Sequence, residues 1–135
     1  METIKIQYTG SLRTEAVHLK SQQKIITDAP LDNNGKGEAF SPSDLMSASL
    51  GSCMLTIMGM VCERNDINIE GTGLRITKIM AAAPRRVAEI ILEFDMPDVN
   101  YSVKEKKLLE EAARTCPVSK SLHPDLKQTV IFNYR

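Results

Sequence analysis

The chain has 135 residues, of which 42% are hydrophobic and 25% are charged, a balance typical of a single globular domain over residues 1–135. Lysine plus arginine number 17, as do aspartate plus glutamate, so the absence of a basic excess argues against nucleic acid or anionic membrane as a partner. The three cysteines, together with an N-terminus that has no apolar signal-like run, indicate a reducing and cytoplasmic setting.

The N-terminal part of the chain, residues 3–27, alternates polar and apolar side chains, which predicts a meander of three β-strands. Ile4 and Ile6 share one face of the first strand, and Gly10-Ser11 is typical of a hairpin turn. Residues 28–40 contain glycine, proline and asparagine and are predicted to form a loop. Ordered loops of this length are frequently functional.

A long helix is predicted to follow this loop. Ser41 is a good N-cap, Pro42 suits the first helical position, and Asp44 lies three residues after the cap. The helix should run to about Asn65, and its apolar residues lie all round the axis, so we expect burial on nearly every side. The uncharged segment Leu45–Cys62 reaches the length of a membrane span, but its serine, threonine and glycine residues favour a buried helix.

The second half of the chain is predicted to contain three more strands and one more helix. Residues 67–96 alternate as two long strands around a turn at Pro84. The capping box Ser102–Glu105 opens a helix that reaches about Thr115, and residues 127–134 form a last strand. The order βββ-α-ββ-α-β predicts an α+β fold in which antiparallel sheets wrap around the long helix.

The cysteines are the candidate reactive residues. Cys53 lies in the middle of the long helix, where a packed thiol and a reactive thiol are both reasonable interpretations. Cys62 is about 180° further round the same helix and is interpreted as structural. Cys116 ends the apolar face of the second helix, where Pro117 stops that helix, so it suits either packing or a mobile redox role.

A cysteine in mid-helix needs a cation to become reactive, because burial alone raises the pKa of a thiol. Spacing does not select one of the arginines, except that Arg64 is three turns away from Cys53 on the same helix and is excluded. The other candidates are Arg13, Arg75, Arg85, Arg86 and Arg114. No C-x-x-C or H-x-x-H pair and no nucleotide fingerprint occurs, so neither a metal nor another cofactor is expected.

Two segments of the chain resemble the OsmC/Ohr family. FSPSDLMSASLGSCM, at residues 40–54, matches its Pro-x-x-Leu helix opening, its run of small residues and its central-helix cysteine. CPVSKSL, at residues 116–122, matches its second cysteine, which is followed by Pro-Val. The two cysteines are 63 residues apart here, close to the family's spacing of about sixty, and the predicted order of elements agrees over the whole chain.

The resemblance implies an intertwined homodimer with two active sites near the subunit interface. It implies that Cys53 is the peroxidatic thiol, that Cys116 is the resolving thiol, and that Arg13 is the hairpin arginine beside the reactive group. In the characterised organic hydroperoxide reductases of the family, a glutamate directly after the proline of the helix opening pairs with this arginine, whereas Ser43 stands there in this chain. Glu38 is our candidate for the missing acid.

The function expected from the residues and the resemblance together is a thiol-dependent peroxidase. It would reduce organic peroxides in preference to hydrogen peroxide, in oxidative stress defence, and an external dithiol of lipoyl or other type would regenerate it. The alternative is a non-enzymatic module that binds an acyl or aromatic ligand in an apolar pocket at the dimer interface. A purely structural dimer is the third interpretation.

Overall fold

The computed structural model describes all 135 residues, which form two three-stranded sheets, one long helix and several shorter helices. The chain divides into two compact units, Met1–Met46 and Ser47–Arg135. The predicted α+β class is confirmed. The assignment of a single domain to residues 1–135 stays a prediction.

The first unit contains the predicted meander. Its strands are β1 (Ile4–Gly10), β2 (Arg13–His18) and β3 (Lys24–Asp28), and each is antiparallel to the next. Ser11 and Leu12 form the turn between β1 and β2 with φ of 54° and 61°. Two successive positive φ values match the right-handed twist of the strands on either side of a tight hairpin turn. In the separate register of β2 with β3, Arg13 stands opposite Asp28 at the end of β3.

The loop after β3 is held by its own backbone. It contains a 3-10 helix, Leu31–Asn33, and Gly37 N–H donates to the Ala29 carbonyl at 3.2 Å. At the ends of the loop, Asp28 N–H donates to the Phe40 carbonyl at 3.1 Å. The loop therefore returns to the strand that it left, and the residues just before Phe40 lie beside the end of β3.

The long helix α1 runs from Pro42 to Asn65. Ser41 Oγ accepts from Asp44 N–H at 3.1 Å, and Asp44 Oδ2 accepts from Ser41 N–H at 3.0 Å. This reciprocal pair is a capping box with aspartate in the acidic position, and it satisfies two backbone donors at the helix start. The predicted N-terminus is confirmed, and the carboxylate of Asp44 is engaged in capping its own helix.

Burial of α1 within one chain follows a single stripe. The buried residues are Ser47, Leu50, Gly51, Met54, Met58 and Cys62. A Cβ added to Gly51 would lie 2.7 Å from side-chain carbons of Ile76 and of Leu74, so glycine allows the helix to approach the second unit's sheet closely. Met60, on the other side, is 47% exposed. One chain therefore covers one side of α1, less than the burial on nearly every side that the composition predicts.

The length and composition of α1 alone would also allow it to cross a membrane. One third of its most apolar window, 33%, is buried within the chain. Core helices of globular proteins pass the same test, so a single helix of this kind is weak evidence for a span.

The second unit contains the other sheet, which consists of β4 (Gly73–Ala82), β5 (Arg85–Asp95) and β6 (Lys127–Asn133) in that order. The pair β4–β5 is antiparallel, as predicted, but β6 is parallel to β5. The expectation of purely antiparallel sheets is corrected here. Between β5 and β6 lie α2 (Val103–Ala113) and α3 (Pro117–Ser121), and a helical crossover carries the chain back to the end of the sheet at which β5 began.

The region around Cys116 differs from the prediction. The capping box at the start of α2 is confirmed, with Ser102 Oγ accepting from Glu105 N–H at 3.1 Å. However, α2 ends at Ala113, and Cys116 is the N-cap of the separate helix α3. Pro117 occupies the first position of α3, where its missing N–H costs nothing, and so it begins a helix and does not end one.

Candidate active site

In the first unit, Arg13 and Asp28 form a cross-strand ion pair. They lie directly opposite each other in the β2–β3 register. Arg13 Nε is 2.7 Å from Asp28 Oδ1, and Arg13 Nη2 is 2.8 Å from Asp28 Oδ2, so the contact is bidentate. The side chain of Asp28 is fully buried, whereas that of Arg13 is 28% exposed. Two parallel charge-assisted hydrogen bonds fix the plane of the guanidinium group.

Glu38 contributes a second carboxylate to this cluster. Glu38 Oε1 accepts from Arg13 Nη2 at 3.1 Å, and the backbone N–H of Glu38 donates to Asp28 Oδ2 at 3.2 Å. The hydrogen bonds from Arg13 lower the pKa of the Asp28 carboxyl, against burial, which raises it. Asp28 is therefore ionised at neutral pH, and it connects β2 to the end of the loop.

In the second unit, Cys53 and Cys116 come together. Cys53 lies half-buried on α1, and Cys116 is fully buried at the start of α3. The two side chains interact with each other, and neither is part of a disulfide. Ser119 N–H donates to Cys116 Sγ at 3.3 Å. The fold thus pairs two cysteines that are 63 residues apart in the sequence.

The environment of Cys116 disfavours its thiolate. Burial raises the pKa of the Cys116 thiol, the hydrogen bond and charge interaction with Cys53 raise it further, and the Ser119 N–H opposes them. A thiol of this kind stays protonated at neutral pH and is a poor attacking group. Cys53 is the more exposed member of the pair, so solvent reaches it more readily than Cys116.

Residues 35–130 match the family model of the OsmC-like proteins. The chain belongs to the OsmC-like family. None of the curated proteins is significantly similar to it.

Among solved structures of the family, a Psychrobacter arcticus protein is 51% identical to this chain, with a TM-score of 0.94 and coverage of 98% of this chain and 96% of that one. Its name places it provisionally among osmotic stress induced and detoxification response proteins. An OsmC-like protein from Mycoplasma pneumoniae is 19% identical, with a TM-score of 0.81 and coverage of 97% and 94%. A Legionella pneumophila protein named as an organic hydroperoxide resistance protein is 17% identical, with a TM-score of 0.76 and coverage of 98% of each chain.

The candidate residues form two separate groups in the structure. The structure brings Cys53 together with Cys116, and it brings Arg13 together with Glu38. The catalytic roles of these residues stay predictions. Sequence reasoning missed Asp28, the closest partner of Arg13. The pairing of the second and third predicted strands could have revealed Asp28, because it places Asp28 opposite Arg13. Oppositely charged residues directly across two strands stabilise each other.

Cys62 occupies a different environment from the cysteine pair. It is 3% exposed and lies in the buried stripe of α1. Burial raises the pKa of the Cys62 thiol, and the nearby charge of Glu105 raises it further. These surroundings fit a packed thiol that stays protonated.

The first unit also contains an apolar cavity of about 230 Å³ on one face of its sheet. Ile4 and Ile6 of β1, Ile25 of β3 and Leu45 from the first turn of α1 line it. Its volume is below the range of roughly 300–1,000 Å³ that is usual for sites of drug-sized ligands. No group of three or more His, Cys, Asp or Glu side chains in the chain is placed to hold a metal ion.

Proposed function

We propose that this member of the OsmC-like family is a two-cysteine peroxidase that reduces organic hydroperoxides. The observation that carries the proposal is the pairing of a half-buried Cys53 with a fully buried Cys116. A peroxidase of this type needs one thiol that meets the substrate and a second thiol that reaches the oxidised product. Cys62 lies in the buried stripe of α1 and has no part in the proposal.

The proposed reaction has three steps. The Cys53 thiolate attacks the terminal oxygen of the hydroperoxide, the O–O bond breaks, and the departing alkoxide takes up a proton to become an alcohol. The resulting Cys53 sulfenic acid then condenses with the Cys116 thiol to give a disulfide and one water. Finally, an external dithiol reduces the disulfide by thiol exchange and is itself oxidised. The peroxide is the oxidant and the dithiol supplies both electrons.

Arg13 is proposed to stabilise the Cys53 thiolate. A guanidinium stays charged at any working pH, and a nearby cation lowers the pKa of a thiol. Glu38 is proposed to assist by holding Arg13 Nη2, from which it accepts at 3.1 Å. This assignment takes the family's pairing of arginine with glutamate and places the acid in the loop, because Ser43 stands at the usual position.

The substrate and the reductant are proposed from chemistry and from family members. The Legionella pneumophila protein of this fold is named for organic hydroperoxide resistance. Met46 and Met60 lie seven residues either side of Cys53 on α1, and apolar side chains favour an organic peroxide over hydrogen peroxide. We propose a cytoplasmic setting, no bound cofactor, and an external dithiol of lipoyl or other type as reductant.

A homodimer is part of the proposal. The side of α1 that carries Met60 is open in one chain, and Ile4, Ile6 and Tyr8 of β1 are 55%, 67% and 64% exposed. Exposed apolar surfaces of this kind mark protein–protein interfaces. We propose that a second copy of the chain covers these surfaces, because closed two-fold dimers are the commonest soluble assemblies.

The apolar cavity in the first unit favours one alternative, a non-enzymatic protein that binds a small acyl or aromatic ligand. The two functions differ in their dependence on the thiols. If a short acyl compound raises the melting temperature equally in the chain and in its Cys53→Ser/Cys116→Ser variant, and no peroxide is consumed, the binding function is supported.

We expect one equivalent of an organic hydroperoxide to oxidise the cysteine pair and no other thiol. The reduced protein should lose two of its three titratable thiols and two hydrogens in intact mass, because a disulfide replaces two S–H groups. Peptide mapping should find Cys53 linked to Cys116 and Cys62 free. Prior oxidation of Cys62, or the absence of a disulfide, would contradict the mechanism.

We expect Arg13→Ala to raise the pH at which Cys53 is alkylated. Loss of one nearby positive charge shifts a pKa by about 1–3 units. The measurement is the rate of alkylation of the Cys53 peptide against pH, followed by mass spectrometry. Arg75→Ala is the matched control, since Arg75 makes a similar pair with Asp95 on the second sheet. If Arg13→Ala and Arg75→Ala both leave the profile unchanged, Arg13 has no role in activating the thiol.

A further inference from the structure

The chain contains two clusters of one arginine, one aspartate and one glutamate, and their hydrogen bonds differ. In the second unit, Arg75 Nε and Nη2 donate to Asp95 at 2.7 and 2.9 Å, and Arg75 Nη1 donates to Glu93 at 3.4 Å. All three nitrogens of Arg75 are engaged. In the first unit, Asp28 and Glu38 both accept from the Nε and Nη2 side of Arg13. Arg13 Nη1 is thus left without a hydrogen bond.

The two aspartates also differ in burial. The side chain of Asp28 is 0% exposed, whereas that of Asp95 is 39% exposed. A buried carboxylate is costly unless its oxygens accept several good hydrogen bonds. Asp28 accepts three, from Arg13 Nε, from Arg13 Nη2 and from the backbone N–H of Glu38. The position of this carboxylate is therefore fixed by two segments of the chain, and it fixes Arg13 in turn.

We infer that Asp28 is a positioning residue for the peroxidase reaction, which holds the guanidinium group of Arg13 in one orientation and leaves Nη1 as its free donor. Asp28 contacts Arg13 and the loop, and it is not itself a catalytic residue. The inference rests on the proposed function, in particular on the proposed role of Arg13. It differs from the family's arrangement in that the carboxylate comes from the end of β3 and not from the opening of the long helix.

Asp28 has two opposing effects on a thiolate that depends on Arg13. Its negative charge weakens the positive potential of Arg13, so removal of the charge alone would lower the pH at which Cys53 is alkylated. Its geometry holds the guanidinium, so loss of the hydrogen bonds would raise that pH. The other charges near Arg13 and Asp28 are those of Glu38 and Lys36, which all variants below retain. The sign of the shift therefore separates positioning from charge.

The experiment compares the full-length protein with Asp28→Asn, Arg13→Ala and the double variant Arg13→Ala/Asp28→Asn. Asparagine keeps the shape of the side chain but replaces one carboxylate oxygen with an NH2 group. This NH2 group cannot accept a hydrogen bond from Arg13 or from the backbone N–H of Glu38. We expect Asp28→Asn to lower kcat/KM for an organic hydroperoxide about 10- to 100-fold and to raise the alkylation pH of Cys53. In the Arg13→Ala background the same change should have no further effect on kcat/KM and should not raise the alkylation pH.

Asp95→Asn is the matched control, because it breaks the same bidentate contact in the other cluster. Its activity and alkylation profile should match those of the unaltered protein. A loss of activity from Asp28→Asn that is equally large without Arg13 would overturn the inference, and so would a fall in the alkylation pH. If the unaltered protein consumes no peroxide, the proposed function fails. The alkylation profiles alone then decide whether Asp28 acts on the thiol through Arg13.

Arg13→Lys covers the case in which Asp28→Asn does not fold. Lysine keeps the positive charge but has no planar fork, so it cannot hold a bidentate contact and leave a third nitrogen oriented. We expect Arg13→Lys to lose nearly as much activity as Arg13→Ala, while circular dichroism and the melting temperature show a folded protein. Retention of full activity by Arg13→Lys would mean that charge suffices, and it would overturn the inference.

Discussion

Replacement of Cys53 by serine is expected to abolish the consumption of organic hydroperoxide. A serine hydroxyl is not ionised at neutral pH and cannot form a sulfenic acid, so the loss should be at least about a thousandfold, as for other nucleophiles. The measurement is the steady-state loss of peroxide in the presence of a small dithiol. Because Cys53 lies half-buried on α1, the substitution should leave the fold intact, which circular dichroism checks.

Cys62→Ser is the matched control for this result, because it makes the same substitution on the same helix. Cys62 lies in the buried stripe, so this variant should lose some stability but keep most of its turnover. Cys116→Ser separates the two steps of the mechanism. It should still react with one equivalent of peroxide, but the sulfenic acid on Cys53 should accumulate and react with a sulfenic-acid reagent. Full activity of Cys53→Ser would refute the proposed chemistry.

Local signals in the sequence predicted most of the elements. The caps at Ser41 and Ser102 fixed the starts of the two main helices, because each hydroxyl satisfies a backbone donor that the helix leaves free. The alternation of apolar residues predicted all six strands. What it could not predict was the direction of β6, because alternation is the same in parallel and antiparallel pairs.

The candidate site was harder to predict from the sequence, for two physical reasons. The pairing of Cys53 with Cys116 depends on tertiary packing of α1 and α3 within the second unit, which neither helix encodes alone. Asp28 was missed because it follows an apolar strand in the sequence, and the pattern predicts it to be the first residue of a loop. Its importance appears only when the β2–β3 register is known, since it then stands opposite Arg13.

The dimer is expected to be obligate for both folding and activity. The side of α1 that carries Met60 and the apolar residues of β1 are both exposed in a single chain. Exposure of apolar side chains to water is unfavourable, so both surfaces favour association. An interface that covers both would be of the obligate class, above about 2,000 Å². Obligate dimers often have no stable folded monomer, so the protein should sediment as a dimer even at low micromolar concentration.

Ile6→Glu is the variant that should break this assembly. Ile6 is 67% exposed in one chain and lies on the apolar face of β1, where a carboxylate at a buried interface would be left without a partner. Gln7→Glu is the matched control. It adds the same charge to the next residue of the same strand, and successive side chains of a strand point to opposite faces.

Sedimentation, circular dichroism and peroxide consumption should change together in Ile6→Glu and remain unaltered in Gln7→Glu. The coupling follows if each active site lies near the interface, as the resemblance to the family implies, because loss of the partner then removes the packing that supports the site. A folded Ile6→Glu monomer with full peroxidase activity would refute both the obligate dimer and the location of the site. A dimeric Ile6→Glu protein would instead show that this face of β1 lies outside the interface, and it would leave the open side of α1 as the surface that the second copy covers.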